Sequence, residues 1–209
     1  MPSPDPVAGY EFDLSGGVLC LDFANSVSNR KTSQRTVDHL DSYDSLVAFA
    51  AQSKLLSTQQ AGALQAYARR HVREAQNALL RAVACRESIY RAFSALAGGK
   101  AAPPDDLQQL SEFAVQALGH RRLARADGEY RWEWRWNREE ILDSIMWPIA
   151  LSAADLLTSP ELRALRICEA PVCAWLFLDQ SRNRSRRWCD MKVCGNREKA
   201  RRHYRRGRG

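Results

Sequence analysis

The sequence contains no stretch of about eighteen consecutive apolar residues, so it offers no candidate membrane-spanning helix. Its opening, MPSPDPVAGYEFDLSGG, lacks the cationic start and apolar core of a secretory signal. A cytoplasmic protein without a membrane partner is expected. Motifs that carry chemistry are also scarce. There is no glycine-rich phosphate loop, nucleophile elbow, HExxH pair or pair of catalytic carboxylates, and the four histidines (His39, His71, His120 and His203) are dispersed. These absences argue against an enzyme.

Composition is that of a folded protein, with 45% hydrophobic and 26% charged residues. A chain of 209 residues holds one full core with a small satellite, hence one or two domains. The net charge of +7 is unevenly placed: residues 163–209 carry +10, which leaves residues 1–162 at about −3. Such a step points to a carboxy-terminal segment that meets a polyanion.

Along the first 162 residues, GGVLCLDFANSV reads as an apolar segment entering a helix or short strand. Helical periodicity then predicts helices over 42–51, 58–70 (with Ser57 as cap), 71–96 and 106–118. In the 71–96 helix Leu79, Leu80, Val83, Ile89, Tyr90, Phe93 and Leu96 recur at three and four and form the expected inward stripe. RRLARADGEYRWEWRW alternates around Asp127-Gly128 and predicts a hairpin, with Tyr130, Trp132, Trp134 and Trp136 on one face. Those aromatics suit core or interdomain packing more often than a ligand surface. A last helix over 138–158 should kink or break near Pro148. Asp22 and Asn25 interrupt the first apolar segment; they either line a small-molecule effector pocket or bond local backbone.

The six cysteines of a protein in a reducing compartment are not expected to form structural disulfides. Cys20 and Cys85 sit in apolar patterns and read as buried thiols. Cys168-x4-Cys173 and Cys189-x4-Cys194, fifteen residues apart, form two pairs of soft donors. Two short turns contributing a pair each are a usual way to surround Zn2+ tetrahedrally at about 2.3 Å, and four thiolates leave no open position, so the zinc is structural. Between the pairs, AWLFLDQSRNRSRRW reads as a hairpin with a return at Trp188, and Asn196 as the cap of a final helix. The expected fold is mainly α with a small β-hairpin or sheet (α+β) over 1–162, and a treble-clef-like zinc finger over 163–209. A module of about forty residues has too little core to fold without its metal.

Around those ligands, Arg182, Arg184, Arg186 and Arg187 occupy the hairpin turn and return, and Arg197, Lys199, Arg201, Arg202, Arg205 and Arg206 the final helix. Guanidinium forks suit phosphates and guanine edges, so nucleic acid is the expected partner, against the blander alternative of a solvated tail. Arg197, Arg201 and Arg202 in a major groove is the DNA reading; Tyr204 and Trp188 stacked on unpaired bases is the RNA reading.

At these residues the sequence strongly resembles the CGNR zinc-finger family, whose signature stands here as Cys194-Gly195-Asn196-Arg197. The likeness runs back through WLFLDQSRNRSRRWC and on into the basic helix. GGVLCLDFANSV and the helices after it resemble the ABATE domain that commonly precedes this finger. The resemblance implies zinc on Cys168, Cys173, Cys189 and Cys194, a close backbone approach at Gly195, and a phosphate contact or a bond to the hairpin for Arg197. It also implies a stress-linked bacterial transcription regulator, with RNA binding as an older suggestion; DNA binding by the finger is the expectation favoured here, with an RNA-associated or a protein-interaction role as alternatives. A regulator of that kind is expected to act as a homodimer and to sense a small molecule through its helical domain.

Overall fold

The computed structural model describes residues 10–135 and 141–206, except the side chains of 202, 203, 205 and 206. The expected helix-rich body with small antiparallel ladders and a four-cysteine module is what forms. Helix α1 (Leu19–Ala24) is short and almost wholly internal, since Cys20, Leu21, Phe23 and Ala24 are all fully buried. A minimal ladder follows, β1 (Val27–Ser28) against β2 (Val37–Asp38). Helices α2 (Tyr43–Gln52) and α3 (Thr58–Arg70) each begin at a serine. Ser42 and Ser57 accept the N3 amides while Ser45 and Gln60 reach back, so the first donors of each helix are satisfied.

Helix α4 (Val72–Ala97) is the central pillar, ending at Gly98 and the left-handed Gly99. Its inward stripe differs from expectation. The buried positions are Ala75, Ala78, Ala82, Cys85, Arg86, Ser88, Ile89, Ala92 and Phe93, whereas Leu80 is 67% exposed. Small alanines let neighbouring helices approach closely, so the face is set by packing room and not by side-chain hydrophobicity. Helix α5 (Pro104–Gly119) starts with proline and two acids, and its Asp106 is buried against Arg91 of α4 at 2.6 Å.

The hairpin β3 (Arg121–Ala126) and β4 (Glu129–Trp134) pairs in the expected register around Asp127 and Gly128, both at positive φ. Its aromatic face divides: Trp134 lies 5.8 Å from Trp147 of the next helix, Tyr130 and Trp132 stay exposed, and Trp136 lies outside the described residues. Helix α6 spans Met146–Thr158, after a 3-10 turn at Ile141–Asp143. Pro148 therefore stands in the first turn, where its missing N–H costs nothing, and does not kink a longer helix; residues 138–140 of the expected helix lie outside the described residues.

Strands β5 (Leu165–Ile167) and β6 (Leu176–Leu178) form the last ladder, and helix α7 (Asn196–Arg206) closes the chain. The hairpin of the cysteine module is thus made by the strands that flank the first ligand pair, with that pair in its turn. The segment returning to Trp188 is not a strand, because β6 already pairs with β5 on one edge and with the body on the other. Leu165, Leu176 and Leu178 join the same hydrophobic cluster as Phe23, Phe49, Ile89 and Ile149. No helix among the described residues is long and apolar enough to cross a membrane.

Candidate metal centre

Cys168 and Cys173 lie in the turn between β5 and β6, Cys189 at the end of the following irregular segment, and Cys194 just ahead of α7. All four are buried, and their sulfur atoms lie within 4.8 Å of one another. Cys173 and Cys189 are 3.7 Å apart and Cys189 and Cys194 3.8 Å. A zinc tetrahedron with metal–sulfur distances of about 2.3 Å has edges of about 3.8 Å, so the thiols stand where that ion needs them. Four thiolates in this space require a dication; the site fits a structural zinc with all four positions taken by cysteine.

The approach to Cys194 is a wide turn of π type, Met191–Gly195, closed by the Gly195 N–H on the Asp190 carbonyl at 3.0 Å. Asp190 caps it, its carboxylate accepting the Val193 N–H at 2.8 Å. Asn196 has helical dihedrals and so is not the cap that its residue type suggests. Gly195 is buried, and a Cβ there would stand 3.0 Å from the sulfur of the Met191 side chain, not against backbone.

The zinc module does not hang free. Both ends of the Asn25 amide grip Leu176 of β6: Nδ2 donates to its carbonyl at 2.8 Å and Oδ1 accepts its N–H at 2.9 Å. Lys31 Nζ donates to the carbonyls of Cys168 and Ala170 at 2.8 and 3.1 Å, inside the first ligand turn. The Trp175 indole N–H donates to the Val27 carbonyl at 2.8 Å, and Gly16 accepts the Leu178 N–H at 2.9 Å. Residues 25–31 are in turn fixed to α4. Arg30 pairs with Glu87 at 2.9 Å and lies 3.8 Å over the Tyr90 ring, while the fully buried Arg86 holds Asp38 by two bonds of 2.6 and 2.7 Å. Sequence reasoning misses Lys31, Arg30, Arg86 and Trp175; their partners lie far along the chain and leave no local pattern.

With this geometry in view, a family model described as "Putative stress-induced transcription regulator" matches residues 17–160, well over half of the chain. The chain belongs to the ABATE family. A second model, the CGNR zinc finger, matches residues 164–207. No curated protein matches the chain. The ABATE body and the CGNR finger thus meet through the contacts just described, and a cleft of about 310 Å³ opens at their junction, lined by Tyr10, Asp13, Asn29, Trp175, Asp190 and Arg197.

The basic residues of the CGNR finger serve different ends. Arg186 donates to the carbonyls of Trp188 and Cys189 and lies 4.6 Å over Phe177, so it supports the metal turn. Arg187 pairs with Glu169, and Arg201 with Glu198 at 3.2 Å. Arg182, Arg184, Arg197 and Lys199 are exposed, and their side chains have no ion pair or hydrogen bond among the described residues. Arg202, Arg205 and Arg206 are on α7, but their side chains lie outside the described residues.

Asn25 and Asp22 of the ABATE body are both engaged with backbone. Asn25 is 3% exposed and bonded at both ends to Leu176, a distant partner and not a local one. Asp22 accepts the Gly16 N–H at 2.7 Å; burial pushes its carboxyl up to about 7, with the Gly16 bond opposing and the Asp13 charge adding. Neither lines the junction cleft. Cys20 and Cys85 are fully buried, and burial pushes the Cys20 thiol up to about 12, which suits inert core thiols.

Proposed function

We propose that this ABATE protein is a cytoplasmic bacterial transcription regulator that binds DNA through its CGNR finger. The zinc organises the fold of the reading module and takes no part in chemistry, because cysteine occupies its whole shell. The observation that carries the reading is the division among the arginines. Arg186 and Arg187 hold the finger together, whereas Arg182, Arg184, Arg197 and Lys199 surround it with no partner among the described residues. Uncommitted guanidinium groups around a rigid metal core are what phosphate contact and base-edge reading require. Residues 1–162 act as the sensing or dimerising part and 163–209 as the reading part. The junction cleft, which joins the two and contains Arg197, is the place where a small polar effector would bias the finger.

The test is binding of the zinc-loaded protein to mixed duplex DNA and structured RNA pools across a salt series. A Cys189→Ser, Cys194→Ser variant is measured beside it. Salt-steep retention that selects duplex sequences and vanishes in the variant is expected. Selection of RNA would replace DNA by RNA in this reading, and retention of neither would leave a zinc-stabilised protein-interaction module.

A further inference from the structure

The β3–β4 hairpin has two faces of opposite character. Cross-strand pairing sets Arg121 opposite Trp134, Leu123 opposite Trp132 and Arg125 opposite Tyr130, and all six share one face. On the other face Arg122 and Arg131 each lie 3.5 Å from Glu133, and Arg131 also reaches Asp127 in the turn at 4.0 Å. Glu129 and Glu133, the acids of the two strands, are both on that second face. The first face carries cations and aromatic rings and no carboxylate.

Its base is anchored and its outer part is open. Trp134 packs on Trp147 of α6, whereas Tyr130 is 76%, Leu123 64% and Trp132 54% exposed. The Arg121 guanidinium lies 5.1 Å from the centre of the Trp132 ring, and Arg125 is exposed with no partner among the described residues. Exposed large aromatics are costly in water and mark a contact surface. Exposed rings flanked by guanidinium groups match unpaired nucleotides: bases stack on the rings and phosphates meet the cations. A duplex hides its base faces and cannot use them. A second copy docked by a two-fold axis would bring together the Arg121 and Arg125 of each chain, which have no carboxylate partner among the described residues.

We propose that this face of the ABATE hairpin binds single-stranded nucleic acid, stacking unpaired bases on Tyr130 and Trp132 with Arg121 and Arg125 along the backbone. None of the finger's residues takes part, so this surface and the finger stand or fall separately.

The test uses the full-length, zinc-loaded protein and a fluorescein-labelled oligothymidylate of about 15 nucleotides, with an oligouridylate of equal length in parallel. Tyr130→Ala, Trp132→Ala together should weaken single-strand binding by roughly tenfold or more at fixed salt. Trp132→Phe, which keeps a stacking ring, should retain most of it. Both variants should unfold at the native temperature and keep native duplex binding. An Arg182→Ala, Arg184→Gly finger variant should weaken duplex binding and flatten its salt dependence while the tenfold ratio between ring-bearing and ring-free hairpins persists. A photo-crosslink from iodouracil-substituted oligonucleotide should fall on the peptide holding Tyr130 and Trp132. The proposal is overturned if the native protein retains no single strand or if the ring-free hairpin binds equally. It is overturned too if light scattering shows that removing the rings splits a dimer with single-strand binding unchanged.

Discussion

Asn25 closes both hydrogen-bonding groups of Leu176, its amide nitrogen 2.8 Å from the carbonyl and its amide oxygen 2.9 Å from the N–H. One side chain of the ABATE body thereby acts as a further strand edge for the finger's ladder. Together with Lys31 on the Cys168 and Ala170 carbonyls, it ties the state of the metal turn to the packing of α1. A finger joined in this way presents its basic surface in a fixed relation to the body, which the proposed regulator requires.

Asn25→Ala should therefore destabilise the protein by about 2–4 kcal/mol, since it leaves two buried backbone groups without partners. Urea unfolding measures the loss. Asn25→Asp should not rescue it, because a carboxylate cannot donate to the Leu176 carbonyl and brings a buried charge. A change below about 0.5 kcal/mol for Asn25→Ala would mean that the pair contributes nothing net.

Removing zinc should be felt beyond the finger. Leu165, Leu176 and Leu178 belong to the body's hydrophobic cluster, so chelation should raise amide exchange in α1 and in residues 25–31 as well as around the cysteines. Metal retention should also fall as pH is lowered, because protons compete for the four sulfurs. Exchange confined to residues beyond 168 after chelation would contradict the linkage.

Asp22 supplies a pH prediction whose sign is opposite to the usual one for a carboxyl. Its folded value, about 7, lies above that of an unfolded aspartate. The charged form is the one burial disfavours, so the penalty is complete above pH 7 and disappears as pH falls toward 4. Asp22→Asn keeps an oxygen for the Gly16 N–H and removes the charge. It should stabilise the protein at pH 8 by roughly 2 kcal/mol, allowing for the water that reaches the carboxyl, and by little at pH 4.5. Thermal unfolding at the two pH values separates this from a pH-independent gain.

What could be read from the sequence follows from the range of the forces involved. Ser57 capping α3, Asp127-Gly128 turning the hairpin, and the spacing of the four cysteines are local patterns, and each is found where expected. The exposed Leu80 and the missing return strand at Trp188 are set by tertiary packing, which hydrophobic recurrence does not encode. The docking of the finger is invisible for the same reason. Asn25, Val27 and Lys31 meet partners more than a hundred residues away, and their residue types carry no sign of it.

Arg186 and Arg184 are two residues apart, carry the same charge and should fail in different ways. Arg186→Ala removes the donors to the Trp188 and Cys189 carbonyls and the cation over Phe177, so it should cost roughly 2 kcal/mol and release zinc at lower chelator concentration. Any decline in nucleic-acid binding should then follow the release of metal. Arg184 holds a left-handed conformation, φ 47°, with its side chain exposed and no partner among the described residues. Arg184→Gly relieves that backbone preference and should leave stability unchanged or higher by about 0.5–1 kcal/mol. Combined with Arg182→Ala, it should flatten the slope of log K against log salt on duplex DNA by about 1 to 2, close to 0.9 for each phosphate no longer neutralised. Zinc retention in that double variant should match the native protein. If both variants instead lose metal and nucleic acid in the same proportion, the division of the arginines into structural and reading groups is wrong. The basic surface would then be a single scaffold whose charge serves the fold.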